Sequence, residues 1–436
     1  MTDEKQRERT TAWRFLRAYA IRIITGTVLL AAVYGAMSVL IAYRREQRIA
    51  QTIRTHSGHV GFDYCGPKWF PQSIRDGLPR LFDRITFAGV TIGGDMNGRT
   101  RSELLLELGS LTTLDGRNLI LVFDFNHTTL NDVEFRLLAG LTNINALSFE
   151  YCDITDAALE NLKGLQSLEV LSFSETPITD TGLQHLSGLT HLEGLILTRT
   201  QVTGTGFEHL GGLPRLESLD LNETNVDGVG LEYLNGLVRL RLDSTQLTDA
   251  GLENLRGLTR LESLDLSYTM VASPGLVHLK ELTRLRNLSF NGTQVTDSGL
   301  VHLKGLVKLE GLDFNNTNVT GTGLGHLNGL SQLKDLRLSK TPTIDEGLEY
   351  LTDLTALQRL SLRNTLVTDA GLESLKGMAN LETLLLSHTQ VTDAGLESLR
   401  GLVKLKSLWL DGTQVTDNGR AMLQKALPNC EIDPSF

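Results

Sequence analysis

Residues 389–402 read TQVTDAGLESLRGL, and near-copies stand at 365–378 (TLVTDAGLESLKGM), 245–258 (TQLTDAGLENLRGL) and 293–306 (TQVTDSGLVHLKGL). A catalytic group is needed once, so a stretch written several times specifies architecture before chemistry. Working outward, the Thr that opens each copy recurs from Thr128 through Thr176, Thr200 and Thr224 to Thr413, in steps of 24 apart from 48 across Cys152 and one step of 21. Apolar pairs just ahead of it keep the same time, from Phe123/Phe125 and Leu147/Phe149 to Leu384/Leu386 and Leu408/Leu410. Thirteen units result, one of them three residues short at GLVRLRLDST.

Each unit divides into two physical halves. In LxxLxLxxT the two Leu flanking one variable residue fall on the same side of a strand, because side chains alternate along it. VTDxGLxxLxGL changes to a helical rhythm, with Leu at i and i+3 inward and Gly where a left-handed C-cap is wanted. The recurrent Asp132, Asp156, Asp180, Asp249, Asp297, Asp345, Asp369, Asp393 and Asp417 stand at the start of that half. They are expected to cap its free N–H groups, not to act as catalytic carboxylates. One strand with one helix cannot bury its apolar side alone, so the units are expected to stack. The predicted fold class is an α/β solenoid with a parallel sheet on the concave face, helices on the convex face and a Leu core between them.

The stretch LETLLLSHTQVTDAGLESLRGL resembles a leucine-rich repeat, and the likeness extends over about 123–436. The TDxGLxxL half is similar to the cysteine-containing subclass found in F-box proteins, with Cys152 of LSFEYCDITDAALENLKGL at the subclass's Cys position. That subclass usually has a unit slightly longer than 24 residues, and no F-box-like segment precedes the repeats, which argues against a ubiquitin-ligase adaptor. The chain also resembles bacterial membrane-anchored leucine-rich-repeat proteins, which often end in a segment such as ALPNCEI. That resemblance implies a binding module.

The N-terminus is of a different kind. Residues 23–43, IITGTVLLAAVYGAMSVLIAY, hold no charge over 21 positions. At about 1.5 Å per residue they match a hydrocarbon layer of about 30 Å, as an uncleaved transmembrane helix would. Six Lys and Arg precede this segment and four follow it up to Arg54, a bias that places the N-terminus inside and the repeats on the non-cytoplasmic side. The expected division is a basic cytoplasmic segment 1–22, the membrane helix 23–43, a linker and capping region 44–120 with a strand in DRITFAGVTI, and the repeat domain 121–436.

The formal net charge is -10. Residues 1–54 hold ten basic and four acidic side chains, +6, so the remainder carries -10 - 6 = -16. An acidic body argues against nucleic acid, whose binding rests on Lys and Arg neutralising phosphates. Three cysteines, Cys65, Cys152 and Cys430, supply neither a disulfide framework nor a CxxC metal pattern. His185, His209, His278, His302 and His326 share one position nine residues after the unit's Thr and are read as convex surface residues, with no Cys or carboxylate column beside them. No cofactor, metal or catalytic residue is expected, and the roughly 60 residues between membrane segment and array are too few for an enzyme domain.

Partner recognition is expected on the concave sheet, where the residue between the two inward Leu varies from unit to unit. Its middle is acidic, with Asp220, Asp265 and Asp313 beside Glu223 and Asp243, and is interrupted by Arg241. A basic band follows, formed by Arg337, Lys340, Arg359 and Arg363, and then an exposed apolar pair, Leu385 and Trp409. The predicted function is membrane-anchored binding of a protein partner; the rival is a passive structural component of the envelope.

Overall fold

The structure, a computed structural model, describes residues 130, 132–142 and 144–433 together with the backbone of the strands Phe87–Thr91 and Ile120–Asp124. The expected membrane helix, most of the linker, Cys65 and Phe436 lie outside the described residues. Among those described, no helix is long and apolar enough to cross a membrane.

One parallel sheet of 15 strands runs through the described chain in strict sequence order, from β1 (Phe87–Thr91) and β2 (Ile120–Asp124) through three-residue strands to β14 (Ser407–Trp409) and β15 (Glu431–Ile432). The expected strand in DRITFAGVTI is β1, and the tail NCEI adds a strand that the repeat count did not include. Register is carried by the first Leu of each pair, as in Leu264↔Leu288, Leu288↔Leu312 and Leu360↔Leu384. Residues about one period apart are therefore neighbours, separated by roughly 4.8 Å. The inward Leu and Phe form one continuous buried core, in which Phe135, Phe149 and Phe173 stack at one end and Phe290 on Phe314 further along.

From β4 (Val170–Ser172) to β14 each strand ends in a turn closed by the recurrent Thr. Its buried hydroxyl donates to the carbonyl of the second inward residue three positions earlier, as in Thr176 to Phe173 (2.6 Å), Thr293 to Phe290 (2.6 Å) and Thr389 to Leu386 (2.6 Å). The residue just before that Thr has positive φ, for example Glu175 (57°), Ser244 (57°), Lys340 (56°) and His388 (58°). This left-handed residue keeps the sheet in step, because its N–H donates to a carbonyl of the next unit, as Lys340 does to Arg363 (2.7 Å). An L-residue adopts that conformation at a local cost, which the two hydrogen bonds offset.

The convex layer departs from expectation. Among the described residues it consists mostly of short 3-10 turns such as Asp156–Leu162 and Asp297–Leu303, with α-helix confined to α1 (Asp132–Leu138), α2 (Asp180–Leu183), α3 (Asp345–Glu349), α4 (Asp369–Glu373) and α5 (Asp417–Ala426). Leu spaced every three residues is the cause, since a 3-10 helix has three residues per turn and aligns such side chains on one side. The same period explains the short unit. Deleting three residues removes one LxxL step, so Leu231, Leu234, Leu237, Leu240 and Leu242 all stay buried.

Candidate functional site

The concave face is built from the first and third residues of each strand, which alternate away from the buried central Leu. Leu385 of β13 (Thr383–Leu385) and Trp409 of β14 are register partners on that face. Both are half-buried, so the apolar pair is less exposed than the sequence suggests. Ser361, the register partner of Leu385 on the other side, is small and buried, and its hydroxyl shares a 2.5 Å hydrogen bond with Ser339. On the C-terminal side β15 pairs only Glu431 and Ile432 with β14, and Asp433 then turns to accept the N–H of Leu410 at 2.5 Å.

The charged bands are partly matched within the sheet. Arg241 lies 3.4 Å from Asp220, Arg337 lies 3.6 Å from Asp313 and 2.9 Å from Asp335, and Arg359 lies 3.7 Å from the same Asp335. Asp335 was not among the expected site residues, although it stands one period before Arg359 and therefore beside it. Asp220 also accepts from the Thr198 hydroxyl (3.0 Å), and Asp265 holds the Ser267 hydroxyl (2.5 Å). Lys340 and Arg363 have no acidic partner among the described residues, and both are exposed.

The acidic stretch carries a charge cost. Burial, followed by repulsion from Asp265, Glu223 and Asp220, raises the Asp243 carboxyl above its ordinary range despite a hydrogen bond from Ser244. Burial also raises Asp313, helped by Asp335 and Asp265 and opposed by the Asn315 N–H and Arg337.

The recurrent Asp column has a different role from the expected one. These carboxylates bond forward into the next unit instead of capping their own helices. Asp345 accepts the N–H (2.8 Å) and hydroxyl (2.6 Å) of Thr368, Asp369 accepts the same pair from Thr392, and Asp393 from Thr416. Local capping falls to the Thr, whose hydroxyl accepts from the N–H two residues on in Thr179 and Thr368. Asp417 is exposed and, among the described residues, meets only Arg420, at 3.8 Å. From Asp156 to Asp393 the column's carboxylates are engaged in stacking the units.

Among the described residues no group of three His, Cys, Asp or Glu could hold a metal ion. The His column lies along the convex layer, with the Nδ1 atoms of His185 and His278 buried and unpaired. Cys152 and Cys430 are both buried, the Cys152 thiol donates to the Glu150 carbonyl (3.7 Å), and burial pushes the Cys430 thiol up to about 11.

Comparison with known proteins agrees with this geometry. A family described as leucine-rich repeat region matches residues 145–328, and one described as leucine rich repeat matches 355–415. This is a leucine-rich-repeat protein. Similar solved structures include an internalin from Listeria monocytogenes, 24% identical with a TM-score of 0.59, covering 83% of this chain and 94% of that one. A leucine-rich-repeat protein of Leptospira interrogans is 19% identical with a TM-score of 0.59, covering 88% and 98%. A chain of the mouse RP105/MD-1 complex is 20% identical with a TM-score of 0.53, covering 72% and 60%. At these identities the likeness concerns the leucine-rich-repeat fold alone. A search of the curated proteins finds no match.

Proposed function

We propose that this leucine-rich-repeat protein is a membrane-anchored binding module, without a reaction of its own, that takes a protein partner on the concave face. Residues 23–43 would hold it in the membrane with the repeats on the non-cytoplasmic side. The observation that carries the binding proposal is the pairing of Leu385 with Trp409 on a face whose other central positions are mostly small or charged. Trp buries a large area at low entropic cost and dominates many interfaces. Stacked units also present an extended concave surface suited to such contacts.

The test compares the tagged full-length chain with a Leu385→Glu, Trp409→Glu variant as baits in envelope and cytosol fractions of the source organism. A partner retained by the first and lost by the second supports the proposal. Identical captures, or none, favour a passive structural role. Anchoring is tested separately: deleting 23–43 is expected to move the chain from the membrane fraction to the soluble one, and no change in fractionation would refute it.

A further inference from the structure

We propose that the partner segment received by the C-terminal third of the concave face is acidic, with carboxylates seated on Lys340 and Arg363 and an apolar side chain placed on Leu385 and Trp409. This inference rests on the concave-face proposal and adds the partner's chemistry and polarity.

Charge complementarity carries it. Four cations, Arg337, Lys340, Arg359 and Arg363, meet two carboxylates, Asp313 and Asp335, a local excess of 4 - 2 = +2 on a chain whose formal charge is -10. The excess is localised. Arg337 and Arg359 are held by Asp335, whereas Lys340 and Arg363 extend from adjacent units without an acid among the described residues. Their backbones are fixed by the hydrogen bond from the Lys340 N–H to the Arg363 carbonyl (2.7 Å), so the two positions are set by the fold.

Between these cations and the apolar pair the floor is made by Ser361 and Ser387, with His388 and Asp411 at its C-terminal rim. Ser361 is buried against Ser339, and the Ser387 hydroxyl is bonded to Asp411, which also lies 3.6 Å from His388. Those bonds leave a shallow floor with basic side chains on one side and Leu385 and Trp409 on the other. Arg363 and Trp409 belong to units two strands apart, roughly 10 Å at about 4.8 Å per strand. An extended chain spans that with about three residues. The preferred segment therefore places Asp or Glu about three residues from Trp, Phe or Leu. Rim charges of this kind steer the encounter and set orientation, while the apolar contact supplies most of the affinity.

The experiment selects a displayed library of random dodecapeptides against the full-length chain in detergent. A synthetic, fluorescently labelled copy of the best binder is then measured by anisotropy. Enrichment of an acid about three residues from an aromatic or Leu is expected. The Lys340→Ser, Arg363→Ser variant is expected to bind that peptide about tenfold more weakly and to lose most of the salt dependence, and Leu385→Ala with Trp409→Ala to abolish binding. Thermal melting of each variant reports on folding, and the substituted groups are outside the Leu core. Peptides without acid enrichment, or indifferent to Lys340 and Arg363 but lost with Leu385 and Trp409, overturn the acidic-partner inference and leave the concave site standing. An absence of binders, or binders indifferent to both pairs, overturns both.

Discussion

Two stretches of the convex layer share one Leu skeleton but join their units differently. From Asp345 to Thr416 a carboxylate of each unit grips the N–H and hydroxyl of the next. At 204 and 228 the Asp is replaced by Gly, and the backbones themselves close the gap. Gly204 (φ 108°) and Gly230 (φ 82°) approach so closely that a Cβ on the first would collide with the Val229 carbonyl, and a Cβ on the second with the Gly204 carbonyl. The difference teaches that the Leu period fixes stacking order, whereas the residue at the Asp position decides whether neighbours are linked by hydrogen bonds or by direct backbone contact.

The two devices meet at a shared motif. Where TGTG replaces TDxG, at 203–206 and 320–323, the preceding Asp gains bonds. Asp180 accepts from Thr203 N–H (2.9 Å), its hydroxyl (2.8 Å), Gly204 N–H (3.0 Å) and Gly206 N–H (2.9 Å), and Asp297 does the same with Thr320, Gly321 and Gly323. Successive N–H groups converging on an anion in this way form a backbone nest.

The largest expected effect breaks the glycine side. Gly230→Val forces a β-branched residue to positive φ against a carbonyl and should cost about 3–5 kcal/mol in denaturant unfolding. Gly212→Ala nearby, with nothing within 4 Å of the added Cβ, serves as the near-neutral control. Equal effects at both positions would mean that close approach is not what holds these units.

Next comes the carboxylate side. Asp180→Ala removes the acceptor of four hydrogen bonds and should cost about 2 kcal/mol, against about 1 for Asp249→Ala, which bonds only the Ala272 N–H (2.7 Å). The effect is also pH-dependent. Burial opposes ionisation of Asp180 and Asp297, but the N–H and hydroxyl donors outweigh it and hold both carboxyls below their usual range. Their contribution is therefore complete above the unfolded value of about 3.9 and is lost as pH falls through the lower folded value. Asp180→Ala should differ from wild type in unfolding midpoint at neutral pH and converge with it in strong acid; a constant gap would contradict the assignment.

The smallest effect lies at Asp243, within the short stretch GLVRLRLDST. The Asp243 carboxyl is raised, so its ionised form is disfavoured by folding, and its relative stabilisation is present at low pH and lost as pH rises through the raised value. Asp243→Asn is expected to stabilise by no more than about 0.5 kcal/mol at neutral pH and to give no gain in acid. Destabilisation at neutral pH would show that its hydrogen bond with Ser244 outweighs the repulsion.

Much of this arrangement was legible in the sequence because one period governs it. Leu384/Leu386 and their counterparts announced the strands, and the left-over Leu385 and Trp409 announced the concave row. What escaped was set by neighbours about one period away. Asp345 looked like a cap because its own helix starts there, yet its partner is Thr368. Arg359 looked like part of a basic band until Asp335 was placed beside it. The 3-10 geometry escaped because Leu at i and i+3 fits either helix, and only the missing i+4 partner distinguishes them.

Amide hydrogen exchange on the full-length chain, with and without a selected acidic peptide, addresses the proposed binding surface most directly. Added protection is expected in Arg359–Arg363, Thr383–Leu385 and Ser407–Trp409, with none in the convex turns such as Gly251–Leu255 and Gly395–Leu399. Protection confined to the convex turns, or spread evenly along the array, would contradict it.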